Sequence, residues 1–270
     1  MEVFLWSFLG LGIICWSSGW FVALRFRKVP KAERFSSAKV SVVIPARNEE
    51  ENLVRLLPSL MGQDTPPHQV IVVNDQSIDC TAEVANEAGA KVINGKSLPD
   101  GWFGKPWACH QGAEIATGDW LLFLDADTVI EPGGLGRIVA LTADEASVHS
   151  ICPYHMVKKP YEQLSAFFNA VMLLGMNAFT WRGEEADQIG LFGQAMLISR
   201  KQYDAVGGHE PVRREVLENF HLSRHLSEAG VRCRCYLGKG TIWMRMFPSG
   251  IEDLVASWSK GFVSGAENTP

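Results

Sequence analysis

Leu121-Leu122-Phe123-Leu124 runs straight into Asp125-Ala126-Asp127-Thr128, with no turn residue between the apolar and acidic parts. A short, unbroken apolar run reads as a strand buried on both faces, the habit of parallel sheets. Parallel neighbours need crossover connections, usually helical, so one such strand commits the surrounding chain to right-handed βαβ units. The preceding sequence keeps that rhythm. Lys39–Pro45 is a β-branched strand, and Leu53, Leu56, Leu57 and Leu60 follow at helical spacing behind an acidic start. Gln69–Val73 is a second strand, Thr81–Ala88 a helix closed by Gly89, and Ala90–Ile93 a third strand. The expected fold is α/β, a mostly parallel central sheet flanked by helices.

Open sheets of this kind bind ligands outside the carboxyl ends of their strands. Where pairing loosens past Leu124, Asp125 and Asp127 turn into one crevice. Two hard oxygen donors at such a point suit Mg²⁺ or Mn²⁺ holding a diphosphate. Lys105 is the only cation of a loop shaped by two glycines, two prolines and three aromatics, Leu98–Trp107.

Composition narrows the class further. With 270 residues, 47% of them hydrophobic, a sizeable core is available; a net charge of −5 argues against nucleic acid as a partner. The six cysteines include no C-x-x-C pair, so structural zinc is not expected.

Val3–Leu24 holds no charged residue, and Arg25, Arg27, Lys28 and Lys31 follow at once. As a helix that stretch would reach about 33 Å, enough to cross a bilayer. The positive-inside rule then sets the rest of the chain in the cytoplasm. The expected organisation is a transmembrane signal anchor at 1–25, a basic linker at 26–37, the catalytic domain at 38–240, and an interfacial helix and tail at 241–270. Tyr161–Trp181 reads as a core helix or one lying at the membrane surface, with Lys158 and Lys159 favouring anionic headgroups. Ala195–Ser199 and Val231–Leu237 are further strands, and Glu215–Ala229 is an amphipathic helix.

Taken together, Val42-Val43-Ile44-Pro45-Ala46-Arg47-Asn48-Glu49, Val72-Val73-Asn74-Asp75-Gln76-Ser77, Asp125-Ala126-Asp127, Gly207-Gly208 and Glu218 resemble the family 2 glycosyltransferases with the GT-A fold. Gly101-Trp102-Phe103-Gly104-Lys105-Pro106-Trp107-Ala108 is similar to a segment of membrane members that act on isoprenoid lipids. Cys152-Pro153-Tyr154-His155 and Gly207-Gly208-His209 resemble the group that glucosylates a carotenoid acid, diaponeurosporenoate. That resemblance implies further membrane helices beyond residue 270, so this chain is expected to be part of a longer protein.

The resemblance also implies the roles. The donor is a nucleotide sugar, UDP-glucose. Pro45, Ala46, Asn48, Glu49 and Asp75 cradle its nucleoside, Asp125 and Asp127 bring the divalent ion, and Lys105 adds positive charge at the diphosphate. The family inverts, and a hydroxyl acceptor needs a general base in the late helix. The usual Glu-Asp pair reads Glu218-Asn219 here. Either Glu218 is the base, or the acceptor is a carboxylate, already ionised at neutral pH, and needs none. Gln194, His209, Trp258 and Lys260 are candidates for the acceptor side, with Asp187 and Gln188. The Q-x-x-R-W motif of processive relatives is missing, which favours transfer of a single sugar onto an apolar lipid. Two alternatives stay open: transfer to a lipid hydroxyl or polyprenyl phosphate, and a catalytically silent nucleotide-sugar-binding scaffold.

Overall fold

The computed structural model describes residues 2–22, 26–31, 36–176, 178–179, 190–215 and 217–267. Helix α1 (Glu2–Val22) leads into strand β1 (Val40–Ala46), α2 (Glu50–Met61), β2 (Gln69–Asn74), α3 (Thr81–Glu87) and β3 (Lys91–Asn94). Then come α4 (Gly104–Ile115), β4 (Trp120–Leu124), β5 (Thr128–Ile130), α5 (Gly134–Ala140), β6 (Ser147–Cys152) and β7 (Tyr154–His155). A 3₁₀ turn at Pro160–Leu164 opens α6 (Ser165–Gly175), and β8 (Ala195–Ser199), α7 (Arg200–Ala205), α8 (Glu218–Glu228), β9 (Arg232–Leu237), β10 (Ile242–Met244) and α9 (Ile251–Glu267) complete the chain.

Seven strands form the main sheet in the order β3-β2-β1-β4-β8-β6-β9. β3, β2, β1 and β4 are parallel, β8 runs antiparallel to β4 and β6, and β9 is parallel to β6. All five residues of β4 are buried, as its uninterrupted apolar text requires. One face of the sheet packs on Leu53, Leu56, Leu57 and Leu60 of α2. The other packs on Ala108, Cys109 and Ala113 of α4 and on Leu222 and Leu226 of α8. Because β1 connects outward to β2 while β4 lies on its other side, the strand order reverses between β1 and β4. This is the switch point at which such sheets open a crevice.

A second sheet, β5-β10-β7, stands beside the first. Ile242–Met244, expected to begin an interfacial stretch, is its middle strand, paired with Thr128–Ile130 on one side and Tyr154–His155 on the other. Its three residues are long enough for a ladder but too short for an alternating pattern to show in the sequence. The helical part of that stretch starts only at Ile251. α4 likewise begins earlier than expected, at Gly104, so that Lys105 and Pro106 lie in its first turn. A proline is tolerated there because the N–H it lacks would be unpaired in any case.

α1 is 21 residues long. Only part of its side chains are among the described residues, and among those no helix is long and apolar enough to cross a membrane. The membrane span expected from Val3–Leu24 is therefore not established by the structure.

Candidate active site

A cleft of about 400 Å³ opens at the carboxyl ends of β1, β2 and β4. Of the residues expected to hold a donor, Pro45, Ala46, Glu49, Asp75, Lys105, Asp125 and Asp127 all line it. Short backbone bonds fix the strand ends that carry them. The Asp75 N–H donates to the Ala46 carbonyl at 2.8 Å, and the Asp125 N–H to the Gln194 carbonyl at 3.0 Å. The Asp-Ala-Asp turn is closed by the Thr128 hydroxyl donating to the Asp125 carbonyl at 2.8 Å.

Four lining residues were not singled out from the sequence: Arg47, Gly104, Ala108 and Ala126. Arg47 stood inside a quoted motif. Gly104 gives no signal of its own, yet a methyl group there would lie 2.9 Å from Asp75 Oδ2. A larger residue there would have to push that carboxylate aside.

Asn48 does not line the cleft. It takes a left-handed backbone conformation (φ 56°). Its side-chain oxygen accepts from the Ile78 N–H at 2.9 Å, while its own N–H donates to the Ser77 hydroxyl at 3.0 Å. It shapes the site by tying the turn after β1 to the turn after β2. Asp79 helps start α3, accepting from the Thr81 N–H at 3.1 Å.

Carboxylates crowd the far end of the cleft. Burial, then the charges of Asp125 and Glu49, push Asp127 up to about 7. Glu49 is also raised, by burial first. Lys105 Nζ lies 2.7 Å from Asp125 Oδ1 and 3.7 Å from Glu218 Oε1. Burial works against its ammonium, but those two carboxylates outweigh it and hold the lysine above its ordinary range. Glu218 is 7% exposed at the start of α8. Burial raises its pKa despite Lys105, and the Asn219 side-chain amide donates to it at 2.9 Å. Asp75, at the nucleoside end, is raised by burial against the opposing charge of Arg47.

The donor set suits a hard divalent cation. Asp125 and Asp127 supply oxygens, and Asp127, pushed up by burial and then by the charges of Asp125 and Glu49, is short of positive charge. Among the described residues no group of three or more His, Cys, Asp or Glu side chains could hold an ion unaided. Phosphate and water oxygens would have to complete the coordination.

The candidates for the acceptor side fare unevenly. Gln194 adjoins the metal motif through its carbonyl, and its side-chain oxygen is buried without a hydrogen-bond partner among the described residues. His209 faces no cleft. It is 2% exposed, bonded through Nδ1 to the Tyr203 hydroxyl at 2.7 Å and edge-on to Phe123. Burial pushes it down to about 3, the mark of a neutral core imidazole. Its neighbour Gly208, in a left-handed turn, directs the side chain inward, which the Gly-Gly-His text alone does not disclose. Trp258 lies on α9 and is not among the residues lining the cleft. Lys260 is in the same helix, with its side chain outside the described set. Asp187 and Gln188 fall outside the described residues.

A mostly parallel sheet with a cleft at its switch point and an Asp-x-Asp turn within it fits a glycosyltransferase, and the chain belongs to glycosyl transferase family 2, whose model matches residues 41–219. Among curated proteins, it is 35% identical over 244 residues to the 4,4'-diaponeurosporenoate glycosyltransferase of Staphylococcus haemolyticus. That match covers 88% of this chain and 65% of the relative, so the chain spans about two thirds of the relative's length. Among solved structures, a mannosyltransferase from Pyrobaculum calidifontis, in complex with GDP-Man and Mn²⁺, superposes with a TM-score of 0.60 at 18% identity, covering 88% of this chain and 65% of that one. A glucosyl-3-phosphoglycerate synthase from Mycobacterium tuberculosis, with Mn²⁺, UDP and phosphoglyceric acid, gives 0.58 at 20% identity over 87% of this chain and 80% of its own. At these identities the structural likeness speaks for the fold alone.

Proposed function

We propose that this chain is the donor-binding and catalytic part of an inverting, membrane-anchored glycosyltransferase. It moves one hexose, glucose from UDP-glucose, onto an apolar isoprenoid acceptor, a carotenoid carboxylic acid, to give a glycosyl ester. The observation that carries this reading is the convergence of Asp75, Lys105, Asp125 and Asp127 on one cleft. Asp75 is set to accept the imide N–H of a uracil. Lys105 is set to neutralise the diphosphate. Asp125 and Asp127 would hold Mg²⁺ or Mn²⁺, which, when bound, makes the departing diphosphate a better leaving group.

The acceptor is argued from the late helix. Asn219, where a carboxylate base would be expected, is an amide that donates to Glu218. A carboxylic acid acceptor is ionised at neutral pH and attacks without a base. The name of the curated relative agrees with that class of acceptor. A second reading rests on Glu218 itself: a buried glutamate with a raised pKa is placed to deprotonate a lipid hydroxyl. The anchor is argued from sequence, the uncharged stretch Val3–Leu24 followed by a basic cluster.

The test is donor binding by the detergent-solubilised chain with Mn²⁺ or Mg²⁺, followed by transfer to an apolar carboxylic acid. UDP-glucose should bind in a metal-dependent way that Asp127→Ala abolishes, and the product should be cleaved by mild alkali as an ester. A folded wild type that binds no nucleotide sugar would overturn the reading. An alkali-stable product would leave the hydroxyl acceptor in its place.

A further inference from the structure

Lys105 is held in a way that a simple phosphate-binding lysine is not. Its ammonium contacts Asp125 at 2.7 Å, and Glu218 is 3.7 Å away. Asp127, two residues on, makes no ion pair among the described residues, although Glu49 and Asp125 both crowd it. One carboxylate of the expected metal pair is thus already neutralised from within the protein. Neither Lys105 (39% exposed) nor Asp125 (25%) is sealed in, so the contact exchanges with incoming ions.

An ion arriving alone meets one available carboxylate and one already paired. To use Asp125 it must displace Lys105, whose next carboxylate is Glu218. An ion arriving with a nucleoside diphosphate brings oxygens for its own coordination and a new anionic partner for the lysine. We propose that Lys105 keeps the metal's place on Asp125 until the diphosphate arrives, and then moves onto the diphosphate, so that cation and donor load together. This rests on the donor-site reading above.

The inference makes two binding constants move in opposite directions on one substitution, which a purely phosphate-binding lysine does not do. Lys105→Met keeps an unbranched side chain, one atom shorter, and removes the charge. Binding of Mn²⁺ alone should then tighten by about tenfold, the scale of a partly exposed ion pair. Binding of UDP in the presence of Mn²⁺ should weaken by about the same factor. Lys105→Arg keeps the charge and should bind Mn²⁺ alone as weakly as the wild type, which separates charge from any loss of fold.

Both quantities are read without turnover, from the paramagnetic resonance signal of free Mn²⁺ and from calorimetry with UDP, on the full chain in detergent. Equal Mn²⁺ affinity in wild type and Lys105→Met, with UDP binding intact in the wild type, would overturn the exchange and leave the donor site standing. A gain in Mn²⁺ affinity in proteins that bind no nucleoside diphosphate would overturn the donor site, and with it the transfer of Lys105.

Discussion

The proposed donor wall and the proposed acceptor wall are built on different plans. The donor wall is made from strand ends. Pro45 and Ala46 are the last two residues of a buried parallel strand, Asp75 and Asp125 each come just past the end of one, and hydrogen bonds between neighbouring strands fix their spacing. The acceptor wall is made from long-range clasps. Glu218 is set by Asn219 and Lys105. Glu162, fully buried and not among the residues lining the cleft, is held in the same way: it accepts from the Lys158 and Lys159 N–H groups at 2.7 and 3.2 Å and from Arg245 at 2.6 Å. A site on strand ends can be read from short motifs. One built from clasps cannot, because its partners lie as much as 83 residues apart.

The largest effect that would break this comparison is at Glu218. Glu218→Gln should leave transfer to a carboxylate acceptor within about tenfold of wild type, and should cost more than about 10³-fold if the acceptor is a hydroxyl. Initial rates on matched acid and alcohol acceptors decide it. A smaller pair of changes addresses each wall separately. Gly104→Ala forces Asp75 aside and should weaken UDP binding about tenfold with acceptor KM unchanged. Gly193→Ala runs into the Asn219 amide and should lower kcat about tenfold with UDP binding unchanged. If either substitution moved both constants, the walls would not be independent.

The pH dependence of stability sharpens the contrast. The Arg245 hydrogen bonds hold Glu162 at about 2, below its ordinary 4.5. A depressed carboxylate stabilises the fold fully above its unfolded pKa. That contribution is lost as pH falls from about 4.5 towards about 2. Urea unfolding of Glu162→Gln should therefore show a shallower acid slope than wild type. The smallest change expected is at His209. His209→Phe removes the bond to Tyr203 and should cost about 1–3 kcal/mol in stability, with donor and acceptor KM unchanged.

The sheet and the donor wall were legible because burial and periodicity write them locally. β4 is apolar at every position, and α2 repeats its leucines at helical spacing. The second sheet was not legible. β5, β7 and β10 have three, two and three residues, too few to display alternation, and β10 pairs with strands far away in the sequence, Thr128–Ile130 and Tyr154–His155. His209 stood among the acceptor-side candidates for a related reason. A histidine beside two glycines is compatible with a site or with a structural hydrogen bond, and the structure sets it against Phe123 beside the left-handed turn at Gly208. Lys105 was found, but its pairing with Asp125 depends on α4 starting at Gly104, a boundary that the loop-like residues before it conceal.

The Asp-Ala-Asp turn has one further consequence, a mechanical one. It is the hinge pin between the two sheets: β4 ends on one side of it and β5 begins on the other, with the Thr128 hydroxyl latched to the Asp125 carbonyl. β5 is laced to β10, and β10 continues within seven residues to α9. A pull on α9 would therefore reach β10 and divide between its two ladders, one leading to Thr128 next to Asp127 and the other to Tyr154–His155 beside the end of β6. Asp127 thus sits at the joint of the two sheets, one residue from the ladder that ties β5 to β10, so a displacement of the small sheet would be felt at that carboxylate first.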